Sequence, residues 1–208
     1  LDPASPKVYP HGARYVDTEK FSIQVPFEER EDVVGFVGRL DEEKGIRELA
    51  EVAKQLPEGV MFRFVGDGPL YDWLEGGLQE EIESGDVELT GWVDHDDVLE
   101  ELNRMKLLVM PSQPTEGLPT IILESMACGT PVYATPVSGV PDVVREGETG
   151  FGMSDRKART IVDDIERILQ HTNLTNISQK GQRLIADQYS FEAAVDRYQR
   201  ILETVTVQ

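Results

Sequence analysis

The chain has 208 residues, of which 39 are acidic and 20 are basic, and its formal net charge is −19 at pH 7. This length suffices for one domain with a sizeable core, or for two small ones. The negative charge argues against binding to nucleic acid or to an anionic membrane surface. No apolar run reaches the roughly 18 residues of a membrane-spanning helix, so the sequence predicts no membrane span.

The basic residues include only seven lysines. An excess of Asp and Glu with few Lys suits concentrated salt, in which the Debye length falls to about 3 Å and charge repulsion is screened. We therefore expect a halophilic source, and an acidic protein from ordinary salt is the alternative.

Cys128 is the single cysteine, so an intrachain disulfide is impossible and a reducing compartment is expected. The residues around it in sequence include no base that would lower its pKa, and we expect a buried, unreactive thiol.

Short β-branched apolar runs alternate with helical patterns between residues 33 and 146. The predicted strands are residues 33–37, 60–65, 87–89, 107–110 and 132–134. The predicted helices among them are residues 44–56, 70–84, 96–104, 119–128 and 140–146. This alternation predicts a doubly wound, Rossmann-like α/β fold with a parallel sheet, whose ligands bind at the carboxyl ends of the strands.

The remainder of the chain is predicted to be helical, over residues 156–170, 177–188 and 191–204. Ser190 is the expected N-cap of the last helix, because its hydroxyl can accept from an amide of the first turn.

Two cations follow the first predicted strand. Arg39 comes directly after Gly38, and Lys44 falls in the first turn after the predicted N-cap Asp41. A cation is unfavourable at the start of a helix, so Arg39 and Lys44 are candidates to bind an anionic ligand. The alternative is that neighbouring glutamates neutralise both cations as surface pairs.

Later turns offer weaker candidates. Gly66 would let a ligand pass close to the sheet, and Trp92 and Val93 would lie beside it. The alternatives are an ordinary Asp-Gly-Pro turn and a Trp92 that packs in the core. Residues 94–97, Asp-His-Asp-Asp, could be interpreted as a metal site. Acidic residues before an apolar helix are ordinary N-caps, and we favour this second interpretation.

The predicted helix 119–128 is apolar almost all round and carries Glu124. Pro119 suits the first helical position, where the next amides, of Thr120, Ile121 and Ile122, would face a bound anion. A glutamate is rarely buried without a partner, so Glu124 is expected to open onto a ligand cleft. The alternative is that Glu124 lies at the polar edge of the helix and Glu116 favours its start electrostatically.

The spacing of Glu116 and Glu124 resembles the Glu-x7-Glu signature of family 4 glycosyltransferases, retaining enzymes of the two-domain GT-B fold. Further landmarks of that family occur in the same order. They are Gly38-Arg39 with Lys44-Gly45, Val65-Gly66-Asp67-Gly68-Pro69, Gly91-Trp92-Val93, Met110-Pro111-Ser112 and Glu148-Thr149-Gly150-Phe151-Gly152. The resemblance implies the C-terminal, donor-binding half of such an enzyme, with a linker at residues 1–30, a nucleotide-sugar-binding domain at 31–189 and a C-terminal helix at 190–208.

The same resemblance implies the residue roles. Arg39, Lys44 and Glu116 are the expected catalytic residues, on the diphosphate and on the donor hexose. The expected substrate-binding residues are Gly38, Gly66, Trp92, Val93, Gly117, Leu118, Thr120 and Glu124, with Glu124 on the ribose. The resemblance also implies a mechanism without a metal, and the nucleotide sugar is a substrate, so no cofactor is expected. The acceptor is expected to be held mainly by the missing N-terminal domain.

The alternative function is a non-catalytic nucleotide-binding or carbohydrate-binding module. A dinucleotide-binding dehydrogenase shares the fold but requires Gly-x-Gly-x-x-Gly after the first strand, which residues 38–43 do not provide. We expect a cytoplasmic location, with attachment to the inner face of the membrane through the other half as the alternative.

Overall fold

The structure, a computed structural model, describes residues 14–113 and 117–206, with side chains as far as residue 203. In this part of the chain six parallel strands form one sheet. They are β1 (Val33–Val37), β2 (Met61–Val65), β3 (Val87–Leu89), β4 (Leu107–Met110), β5 (Val132–Ala134) and β6 (Phe151–Gly152). The order in the sheet is β3-β2-β1-β4-β5-β6, the Rossmann order, so the predicted fold class is confirmed.

The helices of this region cover both faces of the sheet. They are α1 (Ile46–Ala53), α2 (Tyr71–Gly77), α3 (Gln79–Ser84), α4 (Val98–Arg104), α5 (Thr120–Ala127), α6 (Val140–Val143), α7 (Ala158–Leu169), α8 (Leu174–Gln188) and α9 (Phe191–Thr206). Every residue of β1, β4 and β5 is buried, as expected of parallel strands covered on both sides. None of the described helices combines the length and the apolar character needed to cross a membrane.

Most predicted helices differ from the observed ones in their bounds, and two of these differences have a clear local cause. Residues 42–44 form a 3-10 turn capped by Asp41, whose Oδ1 accepts from the Lys44 N–H at 3.1 Å. Gly45 then adopts a left-handed conformation (φ 75°), so α1 begins at Ile46 rather than at Lys44. The predicted helix 70–84 is in fact two helices, because the chain bends at the fully buried Leu78 after two glycines, which weaken a helix.

The end of the chain agrees more closely with the sequence. The Ser190 hydroxyl accepts from the Ala193 N–H at 3.2 Å, so the predicted N-cap of α9 is confirmed. The sequence did not predict β6, which consists of two residues and pairs with β5 through Tyr133 and Phe151. A pattern of alternating residues cannot be recognised in so short a strand.

A buried arginine connects the segment before β1 to the end of α5. Arg30 is 5% exposed, and its guanidinium donates to the carbonyls of Val25 (3.1 Å), Met105 (3.0 Å) and Cys128 (2.7 Å) and to Thr130 Oγ1 (2.7 Å). Burial lowers the pKa of Arg30 to about 10, so this side chain remains charged at neutral pH. It holds three loops together beneath the helix that carries Glu124.

Candidate functional site

The site lies at the carboxyl ends of β1 and β4, where the order of the strands reverses. Two adjoining clefts open there, as expected at the switch point of a doubly wound sheet. The Gly38–Trp92 cleft, of about 670 Å³, is lined by residues that include Gly38, Arg39, Gly66, Asp67, Trp92 and Val93. The Lys44–Glu124 cleft, of about 510 Å³, is lined by residues that include Arg14, Lys44, Gly117, Leu118, Thr120 and Glu124. Gly38 and His95 line both clefts.

The glycine-rich turns after β1 and β2 pack directly against each other. A Cβ on Gly66, which has φ 131°, would lie 2.0 Å from the Gly38 carbonyl oxygen. The Leu40 N–H also donates to the Asp67 carbonyl at 2.9 Å. Glycine is therefore required at position 66 by the contact between the turns, whatever the cleft binds.

The two candidate cations lie on different sides of Gly38. Lys44 lines the Lys44–Glu124 cleft, whereas Arg39 lines the neighbouring one. The Arg39 side chain is 68% exposed, and its Nε lies 3.6 Å from Asp41 Oδ2. Of the neighbouring glutamates that could neutralise these cations, Glu42 pairs with Arg47 (2.7 Å).

Helix α5 presents its amino end to the Lys44–Glu124 cleft. Pro119 has extended backbone and is the N-cap rather than the first helical residue, so α5 begins one residue later than predicted, at Thr120. The Ile122 N–H donates to the Pro119 carbonyl at 3.2 Å, so the prediction that this amide faces an anion is wrong. The Thr120 and Ile121 residues line the cleft, and N–H groups at a helix start have no intrahelical acceptor.

Glu124 is a buried carboxylate at the inner end of the same cleft. The residue is 8% exposed, and burial raises the pKa of its carboxyl group, against the opposing effects of His95 and Lys20. An ionised carboxylate in such a place needs polar partners. The expectation that Glu124 opens onto a cleft therefore agrees with its position.

His95 is the described residue that sequence reasoning missed. It follows β3 by six positions, and its Nε2 lies 3.8 Å from Glu124 Oε1. In the sequence it stands out only as part of the acidic stretch 94–97. The one available signal was its place just after Gly91-Trp92-Val93, at the carboxyl end of a predicted strand.

The side chains of residues 94–97 do not converge on a common point. Asp94 Oδ1 accepts from Trp92 Nε1 (3.4 Å), and Asp96 pairs with Lys20 (2.5 Å). Asp97 is the N-cap residue of α4 but makes no side-chain cap hydrogen bond. Among the residues that the structure describes, no three His, Cys, Asp or Glu side chains are grouped so that they could hold a metal.

Three further candidates have clear positions. Trp92 is 78% exposed in the wall of its cleft, so the alternative that it packs in the core is wrong. Leu118 has a buried side chain, whereas Gly117 is exposed beside Arg14, whose Nη2 lies 3.5 Å from where a Cβ of Gly117 would be. Glu116 lies outside the described residues.

Cys128 is buried, and burial raises the pKa of its thiol to about 12, as expected of an unreactive cysteine.

Comparisons with protein families and with individual proteins agree on one family. Residues 17–184 match the family described as glycosyl transferases group 1. A lipopolysaccharide core biosynthesis glycosyltransferase, LpsE of Rhizobium meliloti, is 33% identical over 190 residues, which are 91% of this chain and 54% of LpsE. The sulfoquinovosyl transferase SQD2 of Arabidopsis thaliana is 30% identical, over 82% of this chain and 33% of SQD2. The chain thus spans about half the length, or less, of these relatives.

Solved structures agree in fold. HepE of Anabaena, in complex with UDP and glucose, superposes with a TM-score of 0.76 at 23% identity, over 93% of this chain and 55% of HepE. The C-terminal domain of a group 1 glycosyl transferase, LpcC of Francisella tularensis, gives a TM-score of 0.71 at 22% identity, over 85% of this chain and 99% of that domain.

Proposed function

Because this chain belongs to the group 1 glycosyl transferases, we propose that it is the donor-binding part of a family 4 retaining glycosyltransferase. Such an enzyme moves a hexose from a nucleoside-diphosphate sugar to a glycan, lipid or small-molecule acceptor. The observation that carries this proposal is that Lys44, the amino end of α5 and the buried Glu124 line one cleft at the switch point of the sheet.

The chemistry of this cleft suits a nucleoside diphosphate. Lys44 and the Thr120 amide provide positive charge and a hydrogen-bond donor for the phosphates. Glu124 accepts from the ribose hydroxyls, which supply the partners that a buried carboxylate needs. The adjoining Gly38–Trp92 cleft is large enough for the base, and Trp92 offers it an exposed aromatic face. Glu116, by resemblance, binds the hexose.

The diphosphate leaves in this reaction, and its growing negative charge must be stabilised. Lys44, Arg39 and the start of α5 are the groups that we assign to this role. They replace the metal ion that other glycosyltransferases use, so the proposed reaction is independent of metal and needs no cofactor.

We propose that a second domain holds the acceptor. Residues 1–30 are assigned to the linker, residues 31–189 to the donor domain and residues 190–208 to the helix that returns toward the other domain. The exposed apolar side chains along one side of α9 support this last assignment. They are Phe191, Val195, Tyr198 and Leu202, with exposures between 37% and 60%. We also propose a halophilic source and a cytoplasmic location, with attachment to the inner face of the membrane through the other half.

The isolated chain is expected to bind a nucleoside diphosphate but to transfer no sugar, because the donor contacts lie here and the acceptor contacts do not. Calorimetric titration with UDP, GDP, ADP, CDP and dTDP identifies the base, and a transfer assay with the matching sugar nucleotide tests turnover. Binding to none of the five would contradict the proposal. Turnover by residues 1–208 alone would contradict the division into halves, and a complete protein that binds without transfer would indicate a non-catalytic module.

Glu124→Gln is expected to weaken nucleotide binding and yet to stabilise the unliganded fold. Losing a charged acceptor should reduce affinity by about 1.5–3 kcal/mol, roughly ten- to hundredfold. Burial raises the pKa of Glu124 in the folded state, so the folded state holds its proton more tightly, and stability falls as pH rises through that pKa. Glutamine avoids this loss at pH 7.

Calorimetry with the best nucleoside diphosphate and thermal unfolding at pH 7 measure both effects. The exposed Glu148→Gln, which lines neither cleft, is the control and should change neither quantity. A variant that lost stability but kept its affinity would show that Glu124 serves the fold alone.

A further inference from the structure

His95 connects two parts of the molecule that are far apart in sequence. On one side its Nε2 lies 3.8 Å from Glu124 Oε1. On the other side its ring lies 5.3 Å from the ring of Phe21, centroid to centroid, in a tilted arrangement. Phe21 is 2% exposed and belongs to the segment that precedes β1, so the imidazole is positioned by a fixed part of the core.

A second contact fixes the loop that carries His95. Lys20 Nζ lies 2.5 Å from Asp96 Oδ1 and 5.3 Å from the centre of the Phe21 ring. Asp17 Oδ1 accepts from the backbone amides of Glu19 and Lys20 and so shapes the turn that presents these side chains. The loop after β3 is therefore held against Lys20 and Phe21 at two successive residues, His95 and Asp96.

The imidazole also stands where the two clefts meet, because His95 lines both of them. Its side chain is 63% exposed, so most of its surface faces the opening rather than the core. A nucleotide that spans both clefts would pass this residue. Its distance of 3.8 Å from Glu124 is within ion-pair range but longer than a hydrogen bond, which leaves the carboxylate able to accept from a ligand.

We propose that His95 is a positioning residue for the nucleotide: its imidazole holds the Glu124 carboxylate toward the ribose hydroxyls, and its charge tunes nucleotide affinity. This inference rests on the proposed function and adds to it a residue and a dependence on pH. Histidine side chains change their charge between about pH 5 and 8. A positive His95 attracts both the Glu124 carboxylate and the diphosphate, so affinity is higher when the imidazole is protonated.

Other charged groups around this pair are constant over the relevant range. Those on the loop of His95 and the segment packed against it are Lys20, Asp94, Asp96 and Asp97. Those in the walls of the two clefts are Arg14, Arg39, Lys44 and Asp67, and Cys128 lies one turn beyond Glu124. Lysine, arginine and aspartate side chains ordinarily keep one charge between about pH 6 and 8. The Cys128 thiol stays neutral there, because burial raises its pKa to about 12. Glu124 itself binds protons at the acid end, and this effect is present with or without His95.

The test compares wild type, His95→Gln and His95→Lys by calorimetry at pH 6 and pH 8. The probe is the tightest-binding member of the UDP, GDP, ADP, CDP and dTDP panel. Ratios between variants on one ligand cancel the titration of the ligand. For a unit charge near 4 Å in partly exposed surroundings, we expect wild type to bind about fivefold more tightly than His95→Gln at pH 6. The two should bind almost equally at pH 8.

The lysine of His95→Lys keeps its charge at both pH values. This variant should therefore bind the nucleotide about fivefold more tightly than His95→Gln at both pH 6 and pH 8. His171→Gln is the control, since His171 lines neither cleft, and its ratio to wild type should be one throughout.

The inference would be overturned if the ratio of wild-type affinity to His95→Gln affinity were the same at pH 6 and pH 8. It would also be overturned if His95→Lys bound the nucleotide no more tightly than His95→Gln. Either result leaves the proposed function intact. If wild type bound no member of the panel, the proposed function would fail and this inference with it. A residue that served only the fold would lower thermal stability without producing a ratio that depends on pH.

Discussion

Lys44→Ala should lower the turnover number of the complete enzyme by about a hundredfold at saturating donor, the effect typical of losing one donor to a developing negative charge. Lys44 lies in the wall of the cleft that contains Glu124 and the start of α5. The charge on the diphosphate grows as the bond to the sugar breaks, so an interaction with it is stronger in the transition state than in the bound donor. Turnover should therefore fall more than affinity.

Steady-state kinetics at saturating donor, in low salt and in molar KCl, measure this effect. Lys54→Ala removes the same charge from the far end of α1, where Lys54 pairs with Glu51 on the surface, and should leave turnover unchanged. Screening weakens exposed pairs, so the Lys44 effect must persist in molar KCl if the bound diphosphate excludes water. If neither rate nor donor affinity changes, Lys44 is a surface cation and its assignment to the phosphates is wrong.

Arg30→Leu should reduce the free energy of unfolding by about 3 kcal/mol or more, because each buried acceptor left unsatisfied costs about 1–3 kcal/mol. The guanidinium donates to the carbonyls of Val25, Met105 and Cys128 and to Thr130. Leucine fills part of the space but donates to none of them. The carbonyl of Cys128 lies at the end of α5, so the loss should also loosen the helix that carries Glu124.

Urea denaturation of the isolated chain measures the stability change. Arg159→Leu is the control, because Arg159 is 78% exposed and pairs only with Asp163 on the surface of α7 in the described structure. Surface pairs of this kind are worth about 0.2–1 kcal/mol. A change below about 1 kcal/mol for Arg30→Leu would mean that other groups or water satisfy these carbonyls.

The strands could be predicted well from the sequence because they are buried on both faces. Short apolar runs such as residues 33–37 and 107–110 have few alternatives to a central parallel strand. Helix bounds were less accurate, since they depend on tertiary contacts. Gly45, for example, ends the 3-10 turn at a point where a Cβ would lie 2.9 Å from Pro111, a residue of another loop.

Site residues that belong to local sequence motifs could be predicted, whereas residues whose partners are distant in the sequence could not. Lys44 and Glu124 were candidates from their local patterns, and the fold brings them to one cleft. His95 was missed because its partner Glu124 follows on a different element. Arg30 was missed because most of its acceptors are backbone carbonyls, which a sequence does not distinguish from any others. Gly66 was interpreted through a ligand, although the contact with Gly38 suffices to require it.

The most direct test of the central claim is a crystal structure of this chain with the nucleoside diphosphate that binds most tightly. The account predicts ribose hydroxyls within hydrogen-bond distance of the Glu124 carboxylate, and phosphate oxygens within reach of Lys44 Nζ and the Thr120 amide. The base should lie in the Gly38–Trp92 cleft. A nucleotide bound outside these two clefts, or bound in them with its ribose away from Glu124, would contradict the account.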